Sequence, residues 1–294
     1  MKYKNKPLSV VINILFILLC IACIYPVLMA LGASFTSEAS LLKDGYRIIP
    51  KEFSLDAYKY VFGTSNAIVR AYAVTIFVTA VSVVLGVIIC AMYAYAISRR
   101  DFRHRAVFSF ISFFTMLFNG GLVASYIITT KVLCLSNTLL VLIIPGTMSA
   151  WNVIVLRSFF QGSVPFEIIE SGKLDGAGEF RIFFKLIMPI SLPGIATIAL
   201  FIMIGKWNDW LGPMLYITDS KLYTLSFLLQ NMMNNIQEMV NNAAESGASA
   251  QMESLPTEGA RMALCMVAIG PLLVAYPFFQ KYFIQGMTVG SVKG

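Results

Sequence analysis

The chain has 294 residues, of which 58% are hydrophobic and 13% charged, with a net charge of +7 and a pI near 9.1. Soluble domains carry about 25% charged residues, so a water-soluble globule this apolar could not cover its core. The basic balance requires no nucleic acid, because Lys and Arg gathered on the inner face of a membrane protein account for it.

Six windows contain no Asp, Glu, Lys or Arg: 7–37, 71–98, 106–130, 132–156, 186–205 and 262–280. A helix needs about 20 apolar residues to cross the hydrocarbon core. Backbone in lipid must satisfy its own hydrogen bonds, which favours helices. The windows therefore predict an all-α polytopic membrane protein with six transmembrane helices, at about 9–33, 71–97, 106–129, 135–156, 187–210 and 262–281.

Met1 to Pro7 is basic like the front of a signal peptide. The apolar run behind it is too long, however, and no small-residue cleavage site follows, so it reads as the first span. The loop at 34–70 has balanced charge and a proline at Pro50. Arg99, Arg100, Arg103 and Arg105 crowd the short turn between the second and third spans, beside the single histidine, His104, read as a solvated residue. With Lys2, Lys4 and Lys6 they place the N-terminus inside, and an even number of spans returns the C-terminus to the same side. Only Lys131 separates the third and fourth windows, so that turn is tight. Cys20, Cys23, Cys90, Cys134 and Cys265 lie in or beside apolar windows and read as small hydrophobes. No metal-ligand cluster is present.

Between the fourth and fifth spans runs a charged, glycine-broken segment. Ser163 and Pro165 are helix-start residues. A short helix over about 165–173 would expose Glu167 and Glu170. Leu174-Asp-Gly-Ala-Gly would break it, with Gly176 free to adopt a backbone conformation costly to other residues. A second helix follows, with Phe180, Phe183, Phe184 and Ile187 at helical spacing on one apolar face. Pro189 and Pro193 end it and open the fifth span. Beyond that span, the loop at 211–261 is acidic. Leu225, Leu228, Leu229, Met232 and Ile236 form a helical stripe, predicting an amphipathic helix. Asn241 to Gly259 is small, polar and aperiodic, and reads as flexible unless a partner orders it. Trp207, Trp210 and Tyr216 suit an interfacial aromatic belt.

Three stretches resemble the permeases of carbohydrate-uptake ABC transporters of the maltose-permease type. Glu170-Ser171-Gly172, Asp175-Gly176-Ala177, Met188-Pro189 and Pro193 resemble the family's coupling loop, Glu-Ala-Ala then Asp-Gly-Ala then Leu-Pro and a second proline. The two alanines and the leucine are not kept. Lys206-Trp-Asn-Asp-Trp-Leu-Gly-Pro213 is similar to the Trp-Asn…Pro segment that closes the family's fifth span. Lys281-Tyr-Phe-Ile-Gln-Gly286 and Gly290-Ser-Val-Lys-Gly294 are similar to its C-terminal ending, with departures at Gln285 and Ser291.

The resemblance implies a type I importer permease fold. Residues 1–70 would hold an N-terminal tail, the first span and the first outer loop. Residues 71–283 would form the permease core, with a coupling loop at 158–190 and the outer loop at 211–261. Residues 284–294 would form a cytoplasmic tail. It implies a multi-pass protein of the bacterial cell membrane, working with a second, different permease as a heterodimer, two ABC ATPase subunits and an extracytoplasmic sugar-binding protein. Glu167, Glu170, Gly172, Asp175, Gly176, Ala177, Phe180, Pro189 and Pro193 would carry ATPase coupling. The cargo would be a sugar, and the closest branch handles oligosaccharides. ATP and Mg would sit on the partner ATPase, with no cofactor bound by this chain. The 211–261 loop would reach the binding protein and residues 286–294 the ATPases.

The residues agree with this division of labour. No Gly-x-x-x-x-Gly-Lys-[Ser/Thr] motif occurs, since Gly172-Lys173 is followed by Leu174 and Gly205-Lys206 by Trp207. No nucleophile–base constellation is present, so the chain reads as a transport subunit and not an enzyme. Ion-coupled carriers place ionisable groups inside the bilayer, whereas these windows are empty of charge. Sugars bind to aromatic faces and polar side chains, which makes Asn119, Tyr126, Trp207 and Asn208 the path residues expected from sequence.

Overall fold

The computed structural model describes residues 6–63, 66–245 and 257–291. These residues are helical throughout, apart from turns and a single antiparallel bridge between Thr36 and Phe53. Contacts divide the chain into two compact units, Met1–Ile68 with Leu229–Pro271, and Val69–Leu228 with Leu272–Gly294.

In the first unit, α1 (Lys6–Ser34) is the first predicted span, and its apolar window buries nothing against the rest of the chain. Leu, Ile and Phe cover it on all sides, as lipid or another apolar surface requires. Ser37 caps α2 (Glu38–Asp44), and α3 (Asp56–Gly63) follows. The Glu38 carboxylate accepts from the Thr257 hydroxyl and from the backbone N–H groups of Glu258 and Gly259, at 2.9–3.0 Å. It thereby satisfies the open N–H groups that begin the last helix, α15 (Thr257–Ser291). Tyr46 donates to Glu258 at 2.7 Å, and Arg261 bridges Glu258 and Gln237 at 2.8 Å each.

The second unit is built on α4 (Ala67–Ser98), the second predicted span. Its packed face mixes larger side chains such as Val78, Val87 and Ile97 with the small Ala71, Cys90, Ala91 and Ala94, which let neighbouring helices come close. At Gly86 a Cβ would lie 2.7 Å from Ile202 Cδ1 and from the Thr147 carbonyl. The core joins α4 to α8 (Ala150–Ser163) and α12 (Leu192–Trp207) through Tyr95, Ile97, Leu156, Phe160, Ile198 and Ile202.

Three predicted spans are not single straight helices. The third is α5 (Arg105–Leu117) and α6 (Gly121–Ile127), with a wide π-turn to Val132, bent by 113°. Asn119 causes the break. Its Oδ1 accepts the Gly121 N–H at 2.9 Å, and Gly121 sits at φ +81°. The fourth is α7 (Leu139–Ile143) and α8, separated by residues 144–149. The fifth bends by 85° at Ser191, between α10 (Glu179–Ile182) extended through Phe183–Ile187 and α11 (Met188–Ile190), and α12. Pro189 and Pro193, which lack an N–H, flank this bend. Among the described residues, the helices long and apolar enough to cross a membrane therefore number three, or five if each bent pair is one span, against the six expected from sequence; the fourth predicted span, broken into α7 and α8, is not among them.

After α12 come α13 (Leu211–Tyr216), a turn of 3-10 helix at Ser220–Leu222, and α14 (Leu225–Glu245), which realises the predicted amphipathic stripe with Leu225, Leu229 and Ile236 buried. The aperiodic stretch from Asn241 to Gly259 lies largely outside the described residues.

Candidate functional site

The segment between α8 and α12 folds as a compact foot. α9 (Phe166–Leu174) ends at Asp175, and Gly176 takes φ +75°. The Gly176 N–H donates to the Lys173 carbonyl at 3.0 Å and the Ala177 N–H to the Gly172 carbonyl at 2.9 Å. This pair of bonds around a left-handed glycine is the Schellman termination of a helix. Asp-Gly-Ala is thus a helix stop whose middle residue carries the left-handed turn. Gly172 is buried, and a Cβ there would lie 3.1–3.2 Å from Leu186 and Ile182 on the returning limb.

Glu167, Glu170, Asp175 and Gly176 are all exposed, while Ala177 is half-buried. Leu174 is 89% exposed and Phe180 69% exposed, so the foot presents two large apolar side chains at its tip. The stripe expected to form one face is split. Phe183 and Ile187 enter the core together with Ile182, whereas Phe180 and Phe184 point away. The π-turn over Phe183–Ile187 changes the angular step, so 3.6-residue spacing does not carry through it. Pro189 is exposed and Pro193 half-buried, at the bend rather than the tip.

An ion cluster fastens the foot to the end of α4. The Arg99 guanidinium, whose side chain is 8% exposed, grips both Asp101 oxygens and also donates to Glu179. It reaches the Tyr95 hydroxyl at 3.2 Å and lies 5.5 Å from that ring's centre. Lys173 of α9 donates to Asp101 at 3.0 Å and pairs with Glu179 at 3.4 Å. Two cations and two carboxylates therefore join α4 to both limbs of the foot. Arg99, then Lys173, hold the Asp101 carboxyl well below the usual carboxylate range, and Asp101 in turn raises Lys173. The sequence showed Arg99 only as one of four arginines in a basic turn. Its contacts with Asp101 and Glu179 depend on how the foot returns.

The four path residues expected from sequence do not converge. Asn119 is spent on the helix break. Tyr126 stacks on Tyr216 with ring centres 5.7 Å apart. Trp207 is buried near Tyr72, and its carbonyl accepts from Ser226. The Asn208 amide donates to the Ile204 carbonyl one turn back, at 2.9 Å.

A cavity of about 360 Å³ with both polar and apolar walls lies elsewhere, among Ser149 and Asn152 of the α7–α8 region and Phe201, Ile202, Lys206 and Asp209 of the α12 end. Lys206 is 8% exposed, and its ammonium donates to the carbonyls of Leu142, Ile143 and Pro145 at 2.6, 3.1 and 2.6 Å. These carbonyls follow from the early end of α7, which leaves its last acceptors without helical partners. The signal for Lys206 was visible as a lysine abutting an uncharged run. That it was buried was not. Among the described residues, no three His, Cys, Asp or Glu side chains gather around a metal-sized space.

Long apolar helices, several of them broken, define a membrane protein, and comparison with known proteins specifies the kind. Residues 86–289 match the family described as "Binding-protein-dependent transport system inner membrane component". The chain belongs to that family: it is a multi-pass membrane permease of a binding-protein-dependent ABC transporter, which works with a binding protein and an ATPase. It is 35% identical to the polygalacturonan/rhamnogalacturonan transport system permease protein YtcP of Bacillus subtilis (strain 168), over 99% of this chain and all of that one. It is 26% identical to the arabinooligosaccharides transport system permease protein AraQ of Halalkalibacterium halodurans, over the full length of both. Among solved structures, a bacterial ABC transporter involved in the import of the acidic polysaccharide alginate matches 96% of this chain and 99% of its own, with a TM-score of 0.80 and 26% identity.

Proposed function

We propose that the chain is one permease half of an ATP-driven importer for an oligosaccharide, and that the α9–α10 foot is its coupling element. The observation that carries this reading is the foot itself. It is capped by a left-handed glycine, tied by four charges to the end of α4, and presents Leu174 and Phe180 to the surroundings. Apolar tips of this exposure suit a protein pocket better than water. A foot rigidly fastened to a long helix can pass a push from an ATPase to that helix, a rigid-body switch between two packed states.

In this reading six spans cross the membrane with both termini cytoplasmic, and the foot faces the cytoplasm. A second, homologous permease completes the pathway as a heterodimer, and two ATPase subunits bind ATP and Mg below. Glu167, Glu170 and Asp175 face the ATPase with Leu174 and Phe180, while Gly172, Gly176, Ala177, Pro189 and Pro193 set the shape of the foot. The 211–261 loop, including α14, faces the binding protein. The cargo class follows relatives named for polygalacturonan, arabinooligosaccharide and galactooligosaccharide transport.

Tagged chain purified in mild detergent should bring down a second permease and an ATPase. Proteoliposomes holding that complex, supplied with its binding protein, should take up at least one of radiolabelled arabinotriose, galactotriose and trigalacturonate in an ATP-dependent manner. A chain that copurifies with no ATPase and moves these sugars without ATP would overturn the proposal.

A further inference from the structure

We propose that the cavity between α8 and α12 is a subsite for one hydroxyl-rich ring of the transported sugar, with the Asn152 amide as its main hydrogen-bonding group. The inference deepens the importer reading above and rests on it. Asn152 is 7% exposed, yet its side chain makes no hydrogen bond among the described residues. An amide has two donors and an acceptor to offer, and Asn152 lines the cavity, where an occupant can reach them. Ser149 stands beside it at the head of α8, and its hydroxyl does not cap the helix. Two polar side chains therefore border one cavity with their hydrogen-bonding capacity unspent.

The cavity suits such an occupant. Its volume of about 360 Å³ lies at the lower end of the range of roughly 300–1,000 Å³ for small-molecule sites. A Cβ at Gly146 or Gly205 would meet nothing within 4 Å, so both glycines open onto free space. All three protons of the Lys206 ammonium are spent on carbonyls, so it contributes charge but no free donor. The Asp209 carboxylate borders the same cavity and offsets that charge, while one of its oxygens accepts from the Gly212 N–H. The wall thus joins polar groups of no net charge to the apolar side chains of Phe201 and Ile202, and it fits a sugar ring, whose hydroxyls both donate and accept and whose C–H face is apolar.

Helical rise puts Asn152 about 17 Å from the foot end of α8, and Gly205 about 20 Å from the foot end of α12. The two sides of the cavity therefore stand at similar distances from the foot, and in the six-span reading proposed above that places them within a hydrocarbon core about 30 Å thick. Unspent polar groups at that depth belong on a solute path rather than against lipid.

The test uses the complete transporter in proteoliposomes with arabinotriose, galactotriose and trigalacturonate. Asn152→Ala removes the amide, and Gly205→Leu fills the cavity with a better helix former. Size-exclusion chromatography reports assembly of each variant. Both should lower the uptake rate of the transported trisaccharide at least tenfold. In a chain whose native cysteines are replaced by serine, the thiol of Gly205→Cys should react with N-ethylmaleimide at least threefold more slowly when that trisaccharide is present. Assembled variants that transport at the wild-type rate, or a thiol the sugar does not protect, would overturn the subsite and leave the importer standing. A wild-type complex that takes up none of the three sugars would overturn the importer reading and this inference with it.

Discussion

Gly176 sits at φ +75° with nothing within 4 Å of where a Cβ would go, so its constraint is backbone conformation and not space. A β-branched residue there costs roughly 1–2 kcal/mol in the left-handed region, while asparagine tolerates it. Gly176→Val should therefore shift the foot and lower the number of sugars moved per ATP hydrolysed by about tenfold, and Gly176→Asn should recover most of that ratio. Equal ratios for both variants would show that the turn's handedness is irrelevant to coupling. Asp-Gly-Ala was legible in the sequence because a Schellman cap is local and its bonds span six residues. The Arg99 cluster was not legible, because Arg99 and Glu179 meet across 80 positions.

Among the elements, α7 shows how a broken span survives in an apolar setting. The helix stops after Ile143, and the Lys206 ammonium takes up the carbonyls of Leu142, Ile143 and Pro145 from another helix. Lys206→Met keeps much of the length and apolar stem but leaves the Leu142 and Pro145 carbonyls without that donor, each worth about 1–3 kcal/mol when buried, while Ile143 keeps the Thr147 hydroxyl. The apparent Tm of the purified complex should fall by roughly 5 °C; an unchanged Tm would mean that other groups cap the break. Hydropathy marked the apolar runs of the predicted third, fourth and fifth spans but not the breaks within them, because a window average does not see an Asn119 side chain accepting from Gly121 or a π-turn at Phe183–Ile187. The same averaging hid the split of the Phe180–Ile187 stripe.

Across the whole molecule, the segment after α1 and the start of the last helix are tied together within one unit by the bonds of Glu38 and Tyr46 to Glu258, over more than 200 positions. The hydrogen bond to Glu258 pushes the Tyr46 phenol up to about 12. A raised folded value means that this bond stabilises fully below the ordinary tyrosine value, near 10, and that its contribution is lost as pH rises through about 12. The ultraviolet difference titration between wild type and Tyr46→Phe should accordingly centre near pH 12. A midpoint near 10 would show that the phenol is not held by Glu258.

By itself the sequence determined the membrane class, the approximate positions of the apolar helices, the absence of an ATP-binding motif and the helix–stop–helix shape of the foot. All of these depend on composition or on bonds between near neighbours, which a linear reading can count. Only the tertiary structure decided that Lys206 is buried and saturated, that Arg99 fastens the foot, and that Asn152 rather than Asn119 or Asn208 borders the cavity beside Lys206. Those outcomes depend on which helices meet and at what height, and chain packing sets this between residues tens to hundreds of positions apart.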